Sequence, residues 1–147
     1  MYAISVTGGK EFQVLEELKK IDGIKALLPT NMIVIRKAGI WREKEKVLIP
    51  GYIFIKCKFN YDLYYKVKSI PCVTSWIGKG VPSVMSIEDE SFIESLSNNG
   101  EAIPVQSIIS PFVKKSVIKK LDKHARRITA TLCICDKVHT VTFGYKK

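Results

Sequence analysis

The chain of 147 residues is long enough for one domain of ordinary size or two small ones, and its 46% apolar content is sufficient for a folded core. Its 24 Lys and Arg residues outnumber 14 Asp and Glu residues, and the resulting net charge of +10 favours phosphate-bearing partners. No apolar run approaches the roughly 20 residues that span a bilayer, and the N-terminus lacks the features of a signal peptide. We therefore expect a cytoplasmic protein without a membrane partner.

Charge and cysteine placement narrow the expected chemistry further. Residues 1–98 hold 14 basic and 11 acidic side chains, whereas residues 99–147 hold 10 and 3, so the C-terminal end is the more basic one. Four cysteines lack metal-site spacing, so we expect free thiols and neither a metal nor a cofactor; they are Cys57, Cys72, Cys133 and Cys135.

In chain order, alternation over residues 2–7 predicts a strand, and Gly8-Gly9 predicts a turn. Apolar residues at helical spacing predict an amphipathic helix over residues 10–21. Residues 24–39 are predicted as extended chain interrupted by Pro29, and "WREKEK" at 41–46 as a polar connection to the apolar strand 47–57. These two strands are predicted to pair as a hairpin with a basic tip.

The following segments favour helix, strand and helix. "NYDLYYKVKSI" predicts a short helix with Asn60 or Asp62 as N-cap, "CVTSWIG" predicts a strand, and a helix with an acidic first turn is predicted to begin at Ser86. The order β-α-β-β-α-β-α predicts an α+β fold, an antiparallel sheet with helices of the ferredoxin-like kind. The segment 98–100, "NNG", is the predicted domain boundary, which gives domains over residues 1–99 and 100–147.

The C-terminal segment is predicted to be a small all-β domain. "TATLCICDKVHTVTF" alternates as a strand pair around Asp136-Lys137. Apolar residues in "SVIKKLDKHARRI" also recur at helical intervals, so a helix is the alternative there. We expect the β form.

These elements and their sequences resemble the NusG family of transcription elongation factors. The matching fragments are "YAISVTGGKEFQV", "LLPTNMIVIR", "LIPGYIFIKC", "SIPCVTSWIGKGVPSVMSIEDESFI" and the terminal segment from "VIKKLDKHARR" to Tyr145. The resemblance implies an N-terminal NGN domain that binds the clamp helices of the largest RNA polymerase subunit, and a C-terminal KOW-like β-barrel that recruits RNA or other factors. The KOW turn lacks its usual glycines, and the run "KKLDKHARR" is unusually basic. Both features are similar to specialised antiterminator paralogues of the LoaP/RfaH type.

The resemblance implies a hydrophobic clamp-helix site near the Pro50-Gly51 bend. A bend of this kind interrupts regular strand pairing, so neighbouring side chains need not alternate strictly. The alternative is that each is an ordinary core residue. The predicted contact residues are Ile49, Tyr52 and Phe54, with Phe12 and Thr7 at the rim.

Two further contacts with the transcription complex are implied. Cations beside a tryptophan at the hairpin tip suit single-stranded nucleic acid. In the family this region lies near non-template DNA. The predicted contact residues are Arg36, Lys37, Trp41, Arg42, Lys44 and Lys46. The alternative is a solvated loop in which Glu43 and Glu45 cancel part of the charge. Tyr64 and Tyr65 match the region that contacts the polymerase gate loop in some paralogues, with simple packing of the second helix as the alternative.

A basic cluster in the C-terminal domain predicts contact with RNA, in particular a hairpin of the nascent transcript. A solubilising surface is the alternative. The cluster comprises Lys114, Lys115, Lys119, Lys120, Lys123, His124, Arg126 and Arg127.

These features predict a monomeric, non-enzymatic factor that binds RNA polymerase and promotes processive elongation or antitermination of particular operons. The alternative is an RNA-binding module that acts on ribosomes or structured RNA without polymerase. No catalytic triad, phosphate-binding loop or metal-ligand spacing is present in the sequence, so no catalytic residue is predicted.

Overall fold

The computed structural model describes residues 1–78, 81–97, 102–103, 117–122, 126–134 and 137–144, and for 117–122, 132–134 and 137–138 it describes the backbone alone. The elements confirm the predicted α+β class with an antiparallel sheet, helices and C-terminal strands. They are β1 (Tyr2–Val6), α1 (Glu11–Lys19), β2 (Ile24–Leu27), β3 (Thr30–Lys37), β4 (Ile40–Val47), β5 (Tyr52–Cys57), α2 (Tyr61–Lys68), β6 (Val73–Trp76), α3 (Ile87–Ser97), β7 (Val117–Asp122), β8 (Arg127–Ile134) and β9 (Lys137–Gly144).

The first of two compact units contains Met1–Leu28 and Pro50–Glu94. Its four strands pair antiparallel in the order β2-β5-β1-β6. One face of this sheet, which carries Ile53 and Ile55, packs with Val14 and Leu18 of α1 and Val67 of α2 in a single buried cluster. The apolar positions of both helices recur every three or four residues, so burial of that stripe stabilises helix and sheet together.

The second unit contains Pro29–Ile49 and Ser95–Lys147. It combines the β3–β4 hairpin with the antiparallel sheet β7-β8-β9. The Asn31 side-chain amide donates to the Thr142 carbonyl at 2.8 Å, and the Met32 N–H donates to the Ile103 carbonyl at 2.7 Å. Hydrogen bonds therefore join the hairpin to β9 and to residue 103. The predicted division into domains over residues 1–99 and 100–147 stays a prediction.

The predicted pairing of residues 24–39 with residues 47–57 is confirmed for β2, which pairs antiparallel with β5, and is wrong for β3. Strands β3 and β4 pair with each other along their full lengths, and β5 pairs with β1 and β2 instead. The turn consists of Ala38 and Gly39, with φ of 53° and 78°, between the paired residues Lys37 and Ile40. Positive φ at both positions is typical of the tight hairpin turn that suits strand twist. The segment "WREKEK" has the polarity of a connection, but it lies within β4.

Local signals at the helix ends are confirmed. The Asn60 side chain accepts a hydrogen bond from the Leu63 N–H at 2.9 Å, and the Ser86 hydroxyl accepts one from the Asp89 N–H at 3.2 Å. Each bond satisfies a backbone donor that the first helical turn leaves without an intrahelical partner. In the C-terminal part, residues 117–122 form a strand rather than a helix, and β8 and β9 form the predicted strand pair.

Candidate functional site

The Pro50-Gly51 bend is fixed from two sides within the first unit. The Gly51 N–H donates to Oε2 of Glu11 at 3.3 Å, and the Gly51 carbonyl accepts from the Val6 N–H at 2.9 Å. Glu11 is only 4% exposed although it is ionisable, so the hydrogen bond from Gly51 offsets part of the cost of burying its carboxylate. Gly51 has φ of 85°, a conformation that glycine adopts without the cost of a Cβ atom.

These contacts bring together the start of β5 and the start of α1. Tyr52 follows Gly51 directly, is half-buried, and pairs with Ser5 of β1. Thr7 follows Val6 and is exposed, and Phe12 follows Glu11 and is 48% exposed. The bend therefore places three predicted contact residues around one fixed backbone position.

The other two predicted clamp-helix residues lie in the interior. Phe54 of the first unit is 2% exposed and Ile49 of the second unit is 1% exposed. A buried apolar side chain contributes to stability in this structure rather than to an exposed surface. The exposed part of the predicted site therefore consists of Tyr52, Thr7 and Phe12.

Strand β4 separates its charges by sign. Successive side chains of a strand point to opposite faces, so Arg42, Lys44 and Lys46 share one face of β4, whereas Glu43 and Glu45 share the other. All five are exposed. The glutamates therefore do not lie among the basic residues, and the cations follow one another at intervals of about 7 Å.

Strand pairing places the two β3 cations on opposite faces of the hairpin. Lys37 pairs with Ile40 and lies on the basic face, whereas Arg36 pairs with Trp41 and lies on the acidic one. Within the same unit, the Arg126 guanidinium lies 4.4 Å from the centroid of the Trp41 ring, a cation–π contact. Trp41 is half-buried, so this arginine covers part of the ring that was predicted to stack on bases.

Half of the predicted RNA-binding cluster lies outside the described residues. This applies to Lys114, Lys115, Lys123 and His124, and for Lys119 and Lys120 the structure describes only the backbone within β7. Arg126 is exposed just before β8, and Arg127 begins that strand and is half-buried.

The two tyrosines predicted to contact the gate loop lie in an aromatic cluster. Tyr64 is half-buried and stacks on Trp76 with a centroid distance of 5.7 Å and an interplanar angle of 19°. The indole N–H of Trp76 donates to the Tyr64 carbonyl at 3.2 Å. Tyr65 is 65% exposed and contacts the Tyr64 ring at 5.1 Å. This cluster is not predicted from the sequence, because its members are brought together by packing of α2 against β6.

The remaining predicted chemistry is limited to thiols. Cys57 and Cys72 are free and half-buried, and burial raises the pKa of the Cys57 thiol. No group of three His, Cys, Asp or Glu side chains in the described part of the chain is arranged to hold a metal ion. Among the same residues, no helix has the length and apolar character needed to cross a membrane.

A solved structure from Thermotoga maritima has a similar fold. That structure, described as "Domain interaction in Thermotoga maritima NusG", aligns with 97% of this chain and 92% of its own, with a TM-score of 0.65 at 21% identity. It supports the fold.

Sequence comparison identifies the family. The family profile "Transcription termination factor nusG" matches residues 1–96, more than half of the chain. The Helicobacter pylori "Transcription termination/antitermination protein NusG" is 29% identical over 94% of this chain and 82% of its own length. The protein of the same description from Campylobacter jejuni is 30% identical over 69% of this chain and 62% of its own. The chain therefore belongs to the NusG family of transcription termination and antitermination proteins.

Proposed function

We propose that this protein binds RNA polymerase through its first unit and promotes processive elongation or antitermination of particular operons. It would act as a cytoplasmic monomer and as a specialised paralogue of the LoaP/RfaH type. The observation that carries the proposal is the family match over residues 1–96, which includes the fixed bend at Gly51 and the adjacent Tyr52. A factor that prefers the elongating form of the polymerase clamp shifts the population toward that form, so binding alone accounts for reduced pausing without catalysis.

Tyr52 is the proposed centre of the clamp-helix contact. A tyrosine combines a rigid apolar ring with a polar hydroxyl, which explains the frequency of this residue at interface hot spots. Truncation of such a residue costs about 2 kcal/mol or more, which corresponds to roughly a 30-fold loss of affinity. Thr7 and Phe12 would contribute less as the edge of the same surface.

A pull-down with purified RNA polymerase tests this contact. Tyr52→Ala should abolish retention under conditions that retain the unmodified protein, and Tyr52→Phe should preserve most of it because the ring remains. Tyr2→Ala is a matched control, since Tyr2 is also half-buried on the same sheet but pairs with Ile55 and faces the opposite side. Retention of polymerase by a folded Tyr52→Ala protein at the unmodified level would refute the proposed contact.

The basic face of the hairpin, defined as Lys37, Arg42, Lys44 and Lys46, is proposed to contact non-template DNA. Its support is the separation of charge by sign, since phosphates then meet cations without intervening carboxylates. Removal of one cation that binds a phosphate should lower the slope of log affinity against log salt by about one unit.

Substitutions on opposite faces of the hairpin test the DNA contact. Lys44→Gln should weaken binding of single-stranded DNA and reduce the salt slope by about 1. Arg36→Gln removes the same charge from the other face and should leave the slope unchanged. Equal effects of the two substitutions would show that only net charge matters.

RNA contact by the C-terminal residues is proposed on the strength of charge. Residues 99–147 carry 10 basic and 3 acidic side chains, and exposed Arg126 lies within this segment. Because the C-terminal strands and the hairpin share one unit, the complete chain is the appropriate material for filter binding. A hairpin RNA should bind more tightly than a random single strand at low salt, and equal affinity would contradict the hairpin preference. An RNA-binding module independent of polymerase is the second candidate, and failure to co-purify with polymerase would favour it.

A further inference from the structure

Three tyrosines and a lysine form one continuous stripe on α2. Tyr61, Tyr64, Tyr65 and Lys68 are separated by three or four residues, so they share one side of the helix, whereas Leu63 and Val67 are buried on the other. We refer to these four residues as the tyrosine face. Tyr61 is 58% exposed and Tyr65 is 65% exposed, which is unusual for large aromatic side chains in a folded unit.

Contacts with neighbouring aromatic side chains hold the rings of the tyrosine face in place. Tyr64 stacks on Trp76, which is 7% exposed, and the Tyr64 ring also contacts Tyr61 at 6.0 Å and Tyr65 at 5.1 Å. Phe59 contacts both Tyr61 and Trp76, at 5.5 Å and 6.0 Å. Aromatic contacts of this kind fix ring orientation, so a ligand that stacks on the exposed rings loses little side-chain entropy.

One cation lies beside a ring of the tyrosine face, and a second is close to α2 in sequence. The Lys68 ammonium lies 5.7 Å from the centroid of the Tyr64 ring, and Lys58 is exposed three residues before the first residue of α2. Since Tyr64 is occupied by Trp76 and Lys68, the rings available for stacking are those of Tyr61 and Tyr65. The flank of the helix carries Asp62 and Lys66, whose charges offset each other.

We propose that the tyrosine face binds single-stranded nucleic acid, with bases stacked on Tyr61 and Tyr65 and phosphates near Lys58 and Lys68. Exposed aromatic rings interleaved with cations are the arrangement by which proteins hold single strands without reading sequence. The two rings are one helical turn apart, about 6 Å along the axis, which exceeds the roughly 3.4 Å spacing along each strand of a duplex. An unstacked single strand can adopt this spacing, whereas a duplex cannot.

This inference goes beyond the proposed function, because the resemblance implied a polymerase loop as the partner of Tyr64 and Tyr65. The Lys68 ammonium beside the Tyr64 ring favours a ligand that carries negative charge. Nucleic acid combines that charge with flat bases that stack on aromatic rings. RNA and DNA share the required chemistry, and the experiment separates them.

Fluorescence anisotropy with the complete protein and labelled strands of about 12 nucleotides, within the site size of small single-strand binding modules, tests the proposal. The strands are oligo-dT, oligo-U and an abasic strand that has the same phosphates without bases. The double variant Tyr61→Ala with Tyr65→Ala should weaken binding of oligo-dT or oligo-U by about 5- to 100-fold, within the range of one or two stacked bases. Binding of the abasic strand and the salt slope should not change, because the phosphate contacts are retained. The more strongly affected strand identifies RNA or DNA as the ligand.

Controls separate stacking from loss of structure. Tyr61→Phe with Tyr65→Phe should bind like the unmodified protein, since the rings are retained. Ile87→Ala removes an 83% exposed apolar side chain from α3 and should have no effect. Because the hairpin also attracts nucleic acid, 5-iodouracil strands should be cross-linked and the modified peptides identified; modification of Tyr61 or Tyr65 is expected.

Three results would overturn the proposal. The first is equal weakening of base-bearing and abasic strands by the double alanine variant. The second is cross-linking confined to peptides outside α2. The third is loss of polymerase retention by the same variant with unchanged oligonucleotide binding, which would assign the tyrosine face to a protein partner. Failure of the Tyr52 experiment would leave all three measurements unaffected.

Discussion

Replacement of Glu11 by alanine tests whether the Gly51 contact fixes the candidate polymerase surface. The carboxylate is 4% exposed and accepts the Gly51 N–H at 3.3 Å, across 40 residues of sequence. Alanine has no side-chain acceptor, so the part-buried N–H group of Gly51 is left without this partner. The backbone before Tyr52 should become less well fixed.

The expected loss of folding free energy in Glu11→Ala has two sources. A buried N–H without a partner costs about 1–3 kcal/mol, and loss of an acidic residue from the first turn of α1 adds about 0.3–1 kcal/mol. We expect destabilisation of about 2 kcal/mol. With a urea dependence of about 2 kcal/mol per molar, the midpoint should fall by about 1 M. Glu11→Gln retains a carbonyl acceptor and should lose less than half as much.

Urea unfolding of the first unit can be followed through Trp76, which is buried there, in a Trp41→Phe background that removes the second tryptophan. The same proteins should be tested for polymerase retention, where Glu11→Ala is expected to bind more weakly than Glu11→Gln. An unchanged urea midpoint for Glu11→Ala, or an equal loss for both substitutions, would contradict the hydrogen-bonding role of the carboxylate.

Three further predictions concern other parts of the chain. A Cβ atom at Gly144 would overlap the Met32 carbonyl oxygen, so Gly144→Ala should destabilise the second unit by about 1–3 kcal/mol, measured by urea unfolding through Trp41 fluorescence. Asn60→Ala removes the N-cap of α2 and should cost about 0.5–2 kcal/mol in the same assay through Trp76. Lys56 lowers the pKa of the Glu94 carboxyl through a 2.7 Å hydrogen bond, so any contribution of this exposed pair is present at neutral pH and is lost on acidification. Lys56→Ala should therefore raise the pKa of Glu94 in an NMR titration and lower the neutral-pH urea midpoint only slightly, because the pair is exposed.

The structural elements that were predicted correctly have sequence signals that lie within a few residues of the elements themselves. Asn60 and Ser86 each lie three residues before the backbone N–H that they cap, so both helix starts follow from local patterns. The pairing of β8 with β9 similarly follows from the alternation of residues along both strands. Such features require no knowledge of the rest of the chain.

Strand partners could not be predicted in the same way. The hairpin turn uses Ala38 at φ of 53°, and alanine is not a residue that marks a left-handed turn. Strand β4 is largely exposed on both faces, so it lacks the apolar alternation by which strands are usually recognised. Its alternation of charge sign was nevertheless present in "REKEK", and a count at period two would have revealed the basic face.

The candidate polymerase surface depends on contacts that no short segment contains. The apolar segment 47–57 contains Tyr52 itself, but the conformation of the preceding Gly51 is fixed by hydrogen bonds with Glu11 of α1 and Val6 of β1. Those contacts form only when β5 pairs with β1, since Tyr52 is placed by its register opposite Ser5. A peptide of residues 47–57 would therefore have Tyr52 without Thr7, Phe12 or the arrangement of the three residues. The proposed recognition through Tyr52 would thus require the folded first unit, which explains how a sequence motif can predict the residue but not the geometry that presents it.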